Sequence, residues 1–95
     1  MNAQTVQRIL EPHQAELRTF GVRELLLFGS TAKGQATESS DIDLLVELDR
    51  YTLQDFMGLK FALEQWLGKK VDLGTRRSLK PALRQMVEKD LHRVI

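Results

Sequence analysis

The sequence predicts a small α/β (α+β) sandwich: a short, mixed three-stranded sheet packed with helices, forming a single domain over residues 1–95. Three observations predict it. Residues 4–19 and 79–94 repeat apolar side chains near the 3.6-residue period of an amphipathic helix. Residues 23–28, 41–48 and 70–74 read as short strands, by a continuous apolar run or by alternation. The two kinds of segment follow one another as α-β-(α)-β-α-β-α, an order that surrounds a sheet with helices.

In the first helix Val6, Ile9, Leu10, His13, Leu17 and Phe20 share one stripe. Pro12 falls inside it, so either the helix kinks there or a loose turn gives way to a helix starting near Pro12. Gly21 ends the helix as a C-terminal cap. Arg23–Phe28 is a nearly continuous apolar run bounded by glycine, as expected of a strand buried on both faces. Gly29–Ser40 is small and polar, too long for a tight hairpin, and Ser30 is placed to cap a short helix. Along Asp41–Leu48, Ile42, Leu44, Val46 and Leu48 share one face, and Asp41, Asp43, Leu45 and Glu47 the other.

Thr52 with Asp55 resembles a capping box opening a helix to Leu67, which Gly68 closes. Lys70–Gly74 gives a third strand, with Asp72 facing opposite to Val71 and Leu73. Ser78 then caps a last helix whose stripe is Leu79, Ala82, Leu83, Met86, Val87, Leu91 and Val94, with Pro81 in its first turn.

Composition narrows the function. A chain of 95 residues supports one core and little more. The absence of cysteine excludes disulfides, thiolate metal sites and cysteine nucleophiles. No apolar run approaches the ~18 residues of a bilayer span, and the N-terminus lacks the marks of a secretion signal, so a cytoplasmic protein is expected. The net charge of +1 hides an asymmetry: six Lys/Arg against ten Asp/Glu over residues 1–68, and eight against three over 69–95. The basic C-terminal part suits an anionic ligand or partner, and equally the solvated face of an amphipathic helix.

The chemistry concentrates in two short motifs and one strand residue. Asp41 and Asp43, two apart on a strand, project from one face about 7 Å apart at the backbone. Their like charges repel unless a cation sits between them, and their hard oxygens suit Mg²⁺. Gly29-Ser30 ends an apolar strand ten residues earlier, where backbone N–H groups, the Ser30 hydroxyl and the mobile charge of Lys33 can hold a phosphate. Asp72 is an acid in a strand, where aspartate is disfavoured. With Asp41 and Asp43 it completes a carboxylate triad suited to two metal ions.

The run GSTAKGQATESSDIDLLVEL, with VDL further on, resembles the minimal nucleotidyltransferases of the DNA polymerase β-like superfamily, and more closely the MntA-type antitoxins that pair with HEPN-domain toxins. The resemblance covers essentially the whole chain and implies the polymerase β-like nucleotidyltransferase fold. It implies that Gly29, Ser30 and Lys33 bind the nucleotide and that Asp41, Asp43 and Asp72 are the catalytic, metal-binding residues. It also implies Mg²⁺, ATP as substrate, and transfer of AMP to a tyrosine of a cognate HEPN toxin. At position 33 many family members carry Arg; Lys33 keeps the charge without the bidentate fork.

Two further readings compete. One is a module that neutralises its partner by contact alone, which has no need of three converging carboxylates. The other is a nucleic-acid-binding domain, opposed by the scarcity of aromatics and of any such motif. The sandwich uses nearly all of the chain, so the acceptor is expected on a partner protein in a hetero-oligomer. His13 and His92 lack companions at metal spacing, and Trp66 reads as packing. Tyr51 needs no role beyond its loop, and Glu47 reads as peripheral. Arg76 and Arg77 fit a phosphate or an acidic partner as well as a solvated loop.

Overall fold

The apolar run that ends at Gly29 lies inside the sheet, and the other elements are arranged around it. The computed structural model describes residues 1–37 and 39–95. Strand β1 (Val22–Phe28) pairs antiparallel with β2 (Ile42–Leu48) on one side and with β4 (His92–Arg93) on the other. Strand β3 (Val71–Gly74) runs parallel to β2, so the order is β3-β2-β1-β4 in a mixed sheet.

One face of the sheet carries Leu25, Leu27, Ile42, Leu44, Val46, Val71 and Leu73. These pack against Val6, Leu10 and Leu17 and against Leu59, Leu63 and Leu67 to form the main core. On the other face Leu26 and Leu45 meet Val87 in a smaller cluster. The middle of β1 is therefore buried on both sides, as its unbroken leucine run requires. Leu45 shares the acidic face by alternation, yet it is buried beneath Val87.

Pro12 breaks the first helix. α1 (Ala3–Leu10) is capped by Asn2, whose Oδ1 accepts from the Thr5 N–H at 2.9 Å. A 3₁₀ turn over Glu11–His13 then leads into α2 (Gln14–Thr19). The proline sits where its missing N–H is harmless. His13 stacks on Trp66 with ring centroids 4.0 Å apart, which places both at the core edge. α4 (Leu53–Leu67) begins at Thr52, whose Oγ1 accepts from the Asp55 N–H at 3.1 Å, and ends at Gly68 with φ of 68°. Near the end of α4, Glu64 Oε2 accepts from the Val71 N–H at 3.0 Å, satisfying a donor of the edge strand β3.

The C-terminal segment departs from the expected single helix. α5 spans only Pro81–Glu88, and the chain then turns back to add β4 as a fourth strand. Proline holds the residue before it out of the helical region, so Lys80 (ψ 147°) takes the cap position and the helix cannot begin at Ser78. Ser78 instead closes a reciprocal capping box with Thr75 around a 3₁₀ turn, Arg76–Ser78. At the far end Val94 is drawn into the main core, and its N–H donates to the Leu25 carbonyl at 2.9 Å. Closing the free edge of β1 outweighs extending a helix whose residues Leu83 and Met86 stay exposed. Among the described residues, no helix is long and apolar enough to cross a membrane.

Candidate active site

The site forms where β1 ends and β2 and β3 begin. Phe28 pairs with Asp43 across β1 and β2, and Asp43 pairs with Asp72 across β2 and β3. Adjacent strands lie about 4.8 Å apart, so register alone places the Asp43 and Asp72 side chains side by side on one face. Asp41 stands just before β2 and is exposed, and the Ile42 N–H donates to the Lys70 carbonyl at 2.9 Å, holding the start of β2 against β3.

Gly29 occupies the turn out of β1 with φ of 75°, in the region that side chains rarely adopt. The space is closed as well. A Cβ there would lie 3.2 Å from Asp43 Cγ and would overlap Asp43 Oδ2 outright. Gly29–Ala32 makes a single helical turn, α3. It closes in a Schellman pattern: the Gln35 N–H donates to the Ser30 carbonyl at 2.8 Å and the Gly34 N–H to the Thr31 carbonyl at 3.2 Å, with Gly34 at φ of 72°. Ser30 does not cap this turn. Phe28 holds the cap position, and Ser30 is the second residue of the turn.

The Asp43 carboxyl titrates above its ordinary value of 3.8, first because burial disfavours its charge and then because Asp72 and Asp41 repel it. A hard cation bound by these carboxylates would relieve both effects, and the oxygen donor set fits Mg²⁺. Among the described residues no three His, Cys, Asp or Glu side chains are already drawn into a metal cage.

Lys33 follows α3, and its Nζ lies 3.5 Å from Asp90 Oδ2, just beyond α5. Arg76 is engaged more fully. Its Nη1 donates to Glu47 Oε1 at 2.9 Å, its Nε lies 3.2 Å from Glu88 Oε1, and its Nη2 reaches Glu24 Oε1 at 4.0 Å. Arg76 thus ties β1, β2 and α5 together and is not free for a phosphate, and Glu47 belongs to this hub. No local spacing signals a hub assembled from four separate elements. Arg77 is exposed and lines an open groove of about 550 Å³ with Glu47, Asp49, Tyr51 and Thr75, at the opposite end of β2 from Asp43.

Comparison with known proteins gives the family. Residues 10–94 match the model of the nucleotidyltransferase domain family. The chain belongs to that family. It is 39% identical over 93 residues to the protein adenylyltransferase MntA of Thermococcus cleftensis, covering 96% of this chain and 94% of that protein. Its backbone is similar to the solved structure of a minimal nucleotidyltransferase with a TM-score of 0.81 and 38% identity, over 97% of this chain and 95% of that one. It is also similar, at 25% identity and a TM-score of 0.64, to a chain in the complex of tri-AMPylated Shewanella oneidensis HEPN toxin with MNT antitoxin, covering 94% of this chain and 71% of that one. The chain is a nucleotidyltransferase, built on the mixed sheet and surrounding helices that this family shares.

Proposed function

We propose that this nucleotidyltransferase is a Mg²⁺-dependent adenylyltransferase that moves AMP from ATP to a tyrosine of a HEPN-domain toxin in the cytoplasm, acting as its antitoxin. The observation that carries the reading is the in-register pair Asp43 and Asp72, set against a glycine turn with room for nothing larger than hydrogen. The relative named a protein adenylyltransferase, and the tri-AMPylated HEPN toxin held by an MNT antitoxin, support the choice of group and acceptor.

Residues 1–95 act as one domain in this reading. Gly29 and Ser30 hold the phosphates through backbone N–H groups and the Ser30 hydroxyl, and Lys33 adds charge to the same grip. Asp41, Asp43 and Asp72 hold the metal, which when bound neutralises the phosphates and makes the acceptor oxygen more nucleophilic. The acceptor oxygen bonds to the α-phosphorus, the bond from that phosphorus to pyrophosphate breaks, and the acceptor proton leaves to solvent. The exposed carboxylate of Asp41 and the edge position of β3 leave the site open to a protein side chain.

The test is positional labelling. ATP carrying label on the α-phosphate, incubated with this chain, Mg²⁺ and the toxin, transfers label to the toxin; ATP labelled on the γ-phosphate does not. Transfer from the γ position, or none from either, contradicts the reading.

A further inference from the structure

We infer that the lysine-lined pocket at the turn from α4 into β3 is a phosphate site on the acceptor side of the active site, and that it takes the phosphodiester which AMP transfer leaves on the acceptor protein. The inference rests on the protein-acceptor reading above and adds a second anion site to it.

The turn gathers positive charge. Lys60, Glu64, Gly68, Lys69 and Lys70 line an open pocket of about 560 Å³, three cations to one acid. The acid is already engaged, since Glu64 Oε2 accepts from the Val71 N–H at 3.0 Å. Lys69 Nζ donates to the Thr37 carbonyl at 3.1 Å, which ties the pocket to the loop that precedes Asp41. Among the described residues, neither Lys60 nor Lys70 has a carboxylate within ion-pair distance. A Cβ built on Gly68 would meet nothing within 4 Å, so the turn itself leaves the pocket clear.

The lining selects the ligand. No aromatic side chain lines the pocket, so a base has nothing to stack on. There is no arginine either, and so no planar fork to match a carboxylate oxygen for oxygen. Lysines act as point charges and suit a phosphate of any orientation.

Position says whose phosphate it is. Lys70 is exposed and stands two residues before Asp72, about 7 Å away along the strand. Its carbonyl accepts the Ile42 N–H at 2.9 Å, between Asp41 and Asp43. The strand order sets Gly29, at the end of β1, on one side of Asp43, and the pocket, at the start of the edge strand β3, on the other. The attacking and leaving oxygens of such a transfer stand roughly in line with the phosphorus. With pyrophosphate leaving toward Gly29 and Ser30, the acceptor comes in from the β3 side, past the lysines. The transfer leaves a phosphodiester on the acceptor oxygen, and that group meets the lysines as the acceptor withdraws. The pocket therefore holds the modified acceptor more tightly than the unmodified one.

The experiment titrates the AMP ester of N-acetyltyrosine amide into the full chain by calorimetry, with Mg²⁺ and a non-hydrolysable ATP analogue saturating the donor side. The unesterified amide is titrated in parallel. The variants are Lys60→Ala combined with Lys70→Ala, and Lys80→Ala combined with Lys89→Ala as a control with the same change of charge outside the pocket. The ester should bind the wild type about ten-fold or more tighter than the amide, and the pocket pair should lose that difference. High salt should shrink it as well. The control pair should bind like the wild type. Equal affinity for ester and amide, wild-type affinity in the pocket pair, or an equal loss in the control pair overturns the proposal. So does a uridine homopolymer that binds through the same two lysines more tightly than the ester, which makes the pocket an RNA site. Ester binding that depends on the lysines, without AMP transfer from ATP to toxin, leaves the phosphate site standing and removes the transfer reaction. Transfer to toxin without ester binding at the lysines does the reverse.

Discussion

The Cα of Gly29 lies against the carboxylate of Asp43, so closely that a methyl group at position 29 would overlap Asp43 Oδ2. Two demands meet at one residue: a φ of 75° and the space for an acid on the next strand. Gly34 shares the first demand with φ of 72°, but a Cβ there meets nothing within 4 Å. Gly29→Ala and Gly34→Ala should therefore separate strain from displacement. Both lose about 1–2 kcal/mol in denaturant unfolding from the left-handed backbone. Only Gly29→Ala should also lose most transferase activity, because Asp43 must move.

Asp43 should destabilise the metal-free protein at neutral pH. Its carboxyl titrates above 3.8 in the folded chain, so the ionised form is disfavoured there relative to the unfolded chain. The contribution of Asp43 to stability is then most favourable below pH 3.8, falls as pH rises through the folded value, and stays lower above it. In buffer free of divalent ions, Asp43→Asn should melt higher than the wild type at pH 7, and the gap should close as pH falls below 3.8. Added Mg²⁺ with nucleotide should raise the wild-type melting temperature and leave the variant unmoved. Calorimetry across pH checks both, and a lower melting temperature for the variant at pH 7 would be the wrong sign.

Lys33 is shared between two anions in this account, Asp90 in the free chain and phosphate in the bound one. Their 3.5 Å contact joins two side chains that are both close to half exposed, and such pairs are weak. Asp90→Asn should then tighten ATP binding by about two- to five-fold at low salt, with less effect at high salt. Weaker ATP binding would instead mean that Asp90 positions Lys33.

Arg76 should matter to stability well beyond an ordinary surface arginine. Arg76→Met leaves Glu24, Glu47 and Glu88 facing one another without their shared cation, at an expected loss of about 1–3 kcal/mol. Adding Glu47→Gln should recover part of that loss, because one of the repelling charges is gone. Denaturant titration of the single and double variants measures the coupling.

Much of this was legible in the sequence because it is local. The leucine run of β1, the alternation of β2 and the caps at Thr52 and Gly68 each specify their element within a few residues. Gly29, Asp41, Asp43 and Asp72 stood out for similar reasons of type and spacing. What the sequence hid is long-range. His92 and Arg93 form a strand only because β1 offers a free edge, and the apolar spacing of 79–94 suits a helix just as well. The contacts of Arg76 and of Lys33 with Asp90 join residues from distant segments, which no window of sequence brings together. The overlap between Gly29 and Asp43 is of the same kind, since a glycine after a strand reads first as a turn.

The most direct test of the central claim is the intact mass of the HEPN toxin after incubation with this chain, ATP and Mg²⁺. The account predicts a gain of whole adenylyl groups on a toxin tyrosine with the wild type, and no gain with Asp41→Asn combined with Asp43→Asn, a pair that keeps the fold. A toxin silenced without any gain in mass, or labelled equally by that variant, would contradict it.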